Sequence, residues 1–96
     1  MPAYLIVEIE WHDSVKQKEY RDALGPTLTK HKARTLYAGE AEVLEGSWKP
    51  PRVVLLEFPS MDALHAWYNS PEYAPLIRLR KSGAKTNIVA VESPVQ

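Results

Sequence analysis

The segment from Arg52 to Phe58 constrains the fold of this chain more than any other part of the sequence. Four consecutive apolar residues, Val53 to Leu56, follow the Pro50-Pro51 pair, which predicts an extended turn. The segment is rich in strand-forming residues and is apolar on both sides. A strand of this kind needs a cover on each face of its sheet. The sequence therefore predicts a sheet that is packed on both faces.

The first half of the chain has one clear strand and one interrupted helix. Apolar residues alternate with other residues from Ala3 to Trp11, which is the period of a strand. Asp13 or Ser14 can cap the helix that follows. Gly25-Pro26 predicts a kink or a restart in that helix, because proline lacks a backbone donor. Residues 34–48 are rich in strand formers and predict one long bulged strand or a hairpin.

The second half predicts two consecutive helices. Ser60 can cap the first of them, and Ser70 can cap the second with Pro71 at its first position. Pro75 should delay the regular part of this second helix by about one turn. Gly83 should end it. The region around Ser70 is therefore interpreted as helix-starting chemistry, and Ser70 is not a nucleophile candidate because no nucleophile elbow surrounds it.

The order of elements predicts the architecture. Thr86 to Glu92 is the last predicted strand, and Ser93 to Gln96 is predicted to fray. The order β-α-β-β-α-β predicts a single α+β domain over residues 1–96, a ferredoxin-like sandwich with an antiparallel sheet and helices on one face.

The other face of that sheet is predicted to have an apolar centre and a charged rim. Its predicted apolar residues are Tyr4, Ile6, Val53, Leu55, Ile88 and Ala90. An apolar face of this size is not left in water, so we expect a second copy of the chain to cover it around a two-fold axis. The two sheets would then form a dimeric α/β barrel.

Composition excludes several classes of partner. The chain has 12 basic and 12 acidic residues, and this even balance argues against nucleic acid and against an anionic membrane surface. It has no cysteine, so disulfides and thiolate sites are excluded, and a cytoplasmic location is favoured. No signal peptide and no membrane-spanning segment are predicted.

The candidates for acid–base chemistry are few. His12, His31 and His65 lack the spacing of metal ligands, so we expect no metal and no cofactor. His12 follows the first strand and is the weak candidate for a catalytic general base, the alternative being a polar residue that opens a turn. Pro2 offers a minor alternative, because removal of Met1 would expose a secondary amine of the kind that tautomerases use.

Four residues are candidates for ligand binding. Trp48 and Arg52 flank the Pro-Pro turn and could form the mouth of a cleft, or could be edge packing and an ion-pair partner. Tyr73 and Arg80 are seven residues apart, so they share one face if the helix is continuous. They could bind an anion, or they could anchor the helix to the sheet.

One stretch of the chain resembles a known family. The residues that carry the resemblance are Gly46, Trp48, Pro50, Arg52, Phe58-Pro59-Ser60, Trp67-Tyr68-Asn69-Ser70-Pro71-Glu72-Tyr73 and Arg80. They are similar to the signature of the domain-of-unknown-function 1330 family, in the dimeric α+β barrel superfamily. The resemblance implies the same dimer that the apolar face predicts. The chain departs from the family pattern at Lys32-Ala33, where family members usually have paired glycines.

The resemblance does not choose an activity, because that superfamily includes cofactor-free monooxygenases, isomerases and sensing domains. We expect a homodimer that binds a small anionic or aromatic molecule in a cleft between sheet and helices. A cofactor-free monooxygenase or isomerase is one alternative, and a non-catalytic regulatory or structural dimer is another. Whether the chain is an enzyme stays open at this point.

Overall fold

The computed structural model describes residues 1–94, which form four strands and three helices. Their bounds are β1 Ala3–Trp11, α1 Ser14–Lys30, β2 Arg34–Gly39, β3 Val53–Phe58, α2 Met61–Tyr68, α3 Ala74–Gly83 and β4 Ala84–Glu92. Of the tail predicted to fray, residues 95–96 lie outside the described residues. Ser93 is not frayed, because its backbone N–H donates to the Pro2 carbonyl at 2.9 Å.

The four strands form one antiparallel sheet in the order β2-β3-β1-β4. This arrangement confirms the predicted ferredoxin-like α+β fold. The buried side chains of β1 face the helices, and this side is called the helix face. Its opposite is called the outer face. The sheet of one chain is open, so a barrel is not formed within a single chain.

Helix α1 runs through Gly25-Pro26 without a break, so the restart predicted there is wrong. Asp13 caps the helix, and its side chain accepts from the backbone N–H groups of Val15 and Lys16. Pro26 lies on an exposed part of the helix. The carbonyl that loses a donor there can bond to water, and the preceding glycine has no side chain to clash with the proline ring.

The strand that follows α1 is short, so the long strand or hairpin predicted over residues 34–48 is wrong. Strand β2 ends at Gly39, which pairs with Val53 at the start of β3. Residues 40–52 have no regular structure. They have no strand to pair with, because the pairing of β2 already reaches the first residue of β3.

The outer face has a different composition from the one the sequence predicts. Val89 lies opposite Ile6, and Ile88 lies opposite Val7 on the helix face. Directly paired residues of an antiparallel sheet point to the same side. The outer face therefore carries Val89 and Val91, and its predicted Ile88 and Ala90 are wrong. Strand β4 is apolar on both sides, so only its register decides which residues face outward.

Helix α3 begins about one turn later than the predicted cap at Ser70 and first helical residue at Pro71. Pro71 is not the first helical residue, because residues 71–73 form a turn before α3. The predicted delay at Pro75 is confirmed, since the helix begins at Ala74. Ser70 still acts as a local cap, because its Oγ accepts from the Tyr73 backbone N–H at 3.2 Å. This turn fixes the position of Tyr73, and Gly83 ends α3 as predicted.

Candidate functional site

A cavity of about 260 Å³ lies between α1 and the helix face of the sheet. Its walls come from all four strands, from α1 and α2, and from Tyr73 before α3 and Arg80 in the last turn of α3. Most of the lining is apolar or aromatic, with a few polar and cationic side chains. The lining residues are Leu5, Val7, Ile9, Trp11, Gln17, Tyr20, Arg21, Leu24, Gly25, Leu28, Thr35, Ala38, Arg52, Val54, Leu56, Trp67, Tyr73, Arg80 and Ile88.

Arg80 is the most unusual side chain of this cavity. It is only 3% exposed, and its Nε and Nη2 atoms have no hydrogen-bond partner among the described residues. A buried charge is costly unless it is paired, and a buried donor without an acceptor adds to that cost. The unpaired atoms therefore indicate a position that is suited to an acceptor from outside the chain.

Two tyrosines lie beside Arg80 and join α1 to the turn before α3. The hydroxyl oxygens of Tyr20 and Tyr73 are 2.5 Å apart. The Tyr73 ring stacks on Trp67 with ring centroids 4.0 Å apart, and Trp67 donates from Nε1 to Thr27 Oγ1 at 3.0 Å. This chain of contacts fixes the positions of both tyrosines in the wall of the cavity.

The protonation states of these groups follow from their surroundings. Burial, and then the neighbouring Tyr73, raises the pKa of Tyr20 far above its ordinary value, although Arg80 partly opposes this. Burial lowers the pKa of Arg80, but the interactions with Tyr73 and Tyr20 outweigh it and leave this pKa above its ordinary value. At neutral pH, Tyr20 therefore stays protonated and Arg80 stays charged.

The charged residues of the lining all have the same sign. Arg21, Arg52 and Arg80 contribute guanidinium groups, and none of the described lining residues is an aspartate or a glutamate. Arg52 directly precedes β3, and its carbonyl accepts from the Ile9 N–H at 3.0 Å. An apolar space with cationic side chains is suited to an organic anion.

The structure brings together three of the four predicted ligand-binding residues. Arg52, Tyr73 and Arg80 line the cavity, whereas Trp48 lies on the outer face. His12 is exposed and is not part of the lining, and its backbone N–H donates to the Gly83 carbonyl at 2.7 Å. The ligand-binding roles of Arg52, Tyr73 and Arg80 stay predictions. Trp48 and His12 do not line the cavity that contains Arg80.

Trp48 has a specific contact of its own. Its Nε1 donates to one carboxylate oxygen of Glu8 at 2.9 Å, and Asn87 donates to the other oxygen at the same distance. These two hydrogen bonds, with that of Trp48 the larger influence, lower the pKa of Glu8 below its ordinary value. Trp48 thus holds the irregular segment of residues 40–52 against the outer face.

Sequence reasoning missed several cavity residues. Tyr20 is not among the predicted site residues, and Trp11 is predicted only as the end of the first strand. The signal that could have found Tyr20 is its polar hydroxyl on a buried helical face, because such a hydroxyl needs a partner. The identity of that partner, 53 residues further along the chain, depends on tertiary structure.

The fold and the cavity together define a ferredoxin-like α+β protein with a cationic pocket between sheet and helices. The family described as "Domain of unknown function (DUF1330)" matches residues 2–94. The chain belongs to this family, as its Glu45–Arg80 region indicates. A search of curated proteins finds no match.

Similar solved structures support the same fold. A protein of unknown function from Rhodopseudomonas palustris is 15% identical, with 99% of this chain and 83% of that chain covered and a TM-score of 0.80. A dimeric ferredoxin-like protein of unknown function from Jannaschia sp. CCS1 is 17% identical, with 97% and 100% covered and a TM-score of 0.75. A dimeric protein of unknown function with a ferredoxin-like fold from Bacteroides fragilis is 16% identical, with 96% of each chain covered and a TM-score of 0.66.

The described part of the chain lacks two kinds of feature. None of the helices within residues 1–94 combines the length and the apolar character that a membrane span needs. Over the same residues, no group of three or more histidine, aspartate or glutamate side chains is arranged to hold a metal ion.

Proposed function

We propose that this protein binds a small organic anion in the cavity between α1 and the sheet. The observation that carries this proposal is the buried guanidinium of Arg80, which has two nitrogen atoms without partners beside an apolar space. An anionic ligand would satisfy both donors and neutralise the charge. Arg52 and Arg21 add positive potential to the same lining.

The composition of the lining favours binding over acid–base catalysis. The titratable groups of the described lining are tyrosines and arginines, and no histidine or carboxylate is among them. A general base near neutral pH needs a pKa close to that pH, which Tyr20 does not have. A non-catalytic binding protein is therefore the function that the site supports best. The cofactor-free oxygenase or isomerase remains the alternative hypothesis.

We also propose that the working unit is a homodimer joined through the outer face. That face exposes the apolar side chains of Tyr37, Val89 and Val91, with Val89 58% exposed. A second copy would bury the same residues from both chains and would bring two open sheets together. Two similar structures are described as dimeric proteins, which supports this assembly. The cytoplasmic location remains a prediction from the cysteine-free composition.

The binding proposal is tested by ligand retention. The wild-type protein, Arg80→Met and Arg78→Met are purified in parallel, and the small molecules released on denaturation are identified by mass spectrometry. Arg78 is exposed and lies on the same helix, so it controls for loss of a positive charge. We expect an organic anion from the wild type and from Arg78→Met, and none from Arg80→Met.

The opposite result has a clear meaning. If all three proteins release the same compounds in the same amounts, Arg80 does not hold the ligand. Isothermal titration of the three proteins with benzoate gives a second measurement that does not depend on co-purification. If the heat of benzoate binding is equal for the wild type and Arg80→Met, the proposal is contradicted.

A further inference from the structure

We propose that the ligand of the cavity is an aromatic monocarboxylate whose carboxylate forms a two-point contact with Arg80. This inference rests on the proposed function and adds the chemical class of the anion. It depends on three observations, which are the geometry of the free donors, the scarcity of other donors around them, and the size and lining of the apolar space.

The free donors of Arg80 are the pair that matches a carboxylate. Nε and Nη2 lie on one edge of the planar guanidinium, and their N–H bonds point in nearly the same direction. Both atoms are buried and lack partners. The two oxygens of a carboxylate have the spacing that this edge requires, and such bidentate pairs combine strength with a defined orientation. An acceptor with a single oxygen would leave one of the donors unpaired.

The surroundings of Arg80 favour a carboxylate over a phosphate. The nearest polar groups are the hydroxyls of Tyr20 and Tyr73, which already bond to each other. A phosphate has additional oxygens that would need donors, and most of the cavity lining, Ile9 and Ile88 included, is apolar. An unsatisfied charged oxygen in such a place is costly. A group with one negative charge and two oxygens avoids that cost.

The rest of the cavity is suited to a flat ring of limited size. An engineered cavity of about 150 Å³ accepts benzene, so the present volume indicates a ligand of about ten non-hydrogen atoms. The lining includes the aromatic residues Trp11, Tyr20, Trp67 and Tyr73. Aromatic rings favour offset or edge-to-face contacts with one another, and a rigid ring loses little conformational entropy on binding.

The test is calorimetric titration of the purified protein with five defined probes. Phenylacetate has the proposed chemistry. Octanoate has the same number of non-hydrogen atoms without a ring, and 2-phenylethanol has the ring without the charge. Acetate and inorganic phosphate are small anions without an apolar body. We expect phenylacetate to bind at least about tenfold more tightly than each of the others, which corresponds to about 1.4 kcal/mol.

The Arg80→Lys variant tests the two-point contact separately from the charge. Lysine keeps the positive charge but has no planar fork. We expect phenylacetate affinity to fall about tenfold in Arg80→Lys and to stay unchanged in Arg78→Lys. Circular dichroism melting curves confirm that the variants are folded. An unchanged affinity in folded Arg80→Lys would overturn the two-point contact.

The remaining outcomes separate this inference from the proposed function. Octanoate binding as tightly as phenylacetate, in an Arg80-dependent manner, would overturn the aromatic class and leave anion binding intact. Phosphate binding more tightly than phenylacetate would overturn the carboxylate in the same way. If 2-phenylethanol binds as tightly as phenylacetate and Arg80→Met changes neither affinity, both the inference and the proposed anion function fail.

Discussion

The hydroxyl oxygens of Tyr20 and Tyr73 lie 2.5 Å apart, although the two residues are separated by 53 positions in the chain. This contact joins the middle of α1 to the turn before α3. It lies in the wall of the cavity, where both tyrosines interact with Arg80.

Replacement of Tyr20 by phenylalanine should lower the free energy of unfolding by about 1–2 kcal/mol, because it leaves the buried Tyr73 hydroxyl without its partner. Urea denaturation of the variant measures this change. Tyr68→Phe is the matched control, because no hydrogen bond of its hydroxyl is found in the described part of the chain, and we expect a much smaller change. If both variants lose the same free energy of unfolding, the hydrogen bond between Tyr20 and Tyr73 does not contribute measurably to stability.

Arg80→Met should raise the stability of the ligand-free protein by about 1–3 kcal/mol, because a buried guanidinium with two unpaired nitrogen atoms is replaced by an apolar chain of similar length. Thermal unfolding of ligand-free protein detects this as a higher melting temperature. Arg78→Met, on the exposed side of α3, should change it little. A lower melting temperature for Arg80→Met would mean that the guanidinium stabilises the fold through its neighbours.

The carboxyl group of Glu8 should titrate below its ordinary pKa of 4.5, because Trp48 and Asn87 hydrogen-bond to its ionised form. A lowered pKa in the folded state means that the contribution of Glu8 to stability is present above about pH 4.5. It is lost as the pH falls through the lower folded value. An NMR titration of the Glu8 carboxyl carbon measures the midpoint.

Trp48→Phe should move that midpoint upward, since it removes the larger of the two hydrogen-bond effects. Leu44→Ala changes the same irregular segment at a residue that is 84% exposed, and it should leave the midpoint where it was. The assignment of the shift to Trp48 is contradicted if both variants move the midpoint equally.

Lys32→Gly should stabilise the protein by about 0.5–1 kcal/mol, because Lys32 has a φ angle of +59° and glycine adopts this conformation without steric cost. The family resemblance points to this position as a usual glycine site, and the structure shows that the lysine keeps the left-handed turn. Chemical denaturation checks the gain. Lys81→Gly, inside the last turn of α3, should instead lower stability by about the same amount.

Val89→Lys should convert the proposed dimer to a monomer, because Val89 lies on the outer face opposite Ile6. A charge there would be buried without a partner in the assembled form. Light scattering at micromolar concentration measures the mass. Val15→Lys is the control, since Val15 is exposed on α1, and it should keep the dimer mass. A wild-type protein with a monomer mass would contradict the dimer itself.

Local sequence patterns were sufficient for several elements of the fold. The alternation of β1, the cap at Asp13 and the delay at Pro75 were all predicted correctly, because each depends on residues within one or two turns. The restart at Gly25-Pro26 was not, since the penalty of a helical proline depends on whether the freed carbonyl is exposed. Exposure is a property of the packed molecule.

Tertiary structure alone decided which residues share a face and a cavity. Strand β4 is apolar on both sides, so its period could not place Val89 outside and Ile88 inside until the register with β1 was known. Tyr20 meets Tyr73 and Arg80 only because α1 packs beside α3. The sequence by itself determined the order of strands and helices and the presence of an apolar second face. The unpaired guanidinium of Arg80 is a consequence of packing, because burial and missing partners exist only in three dimensions.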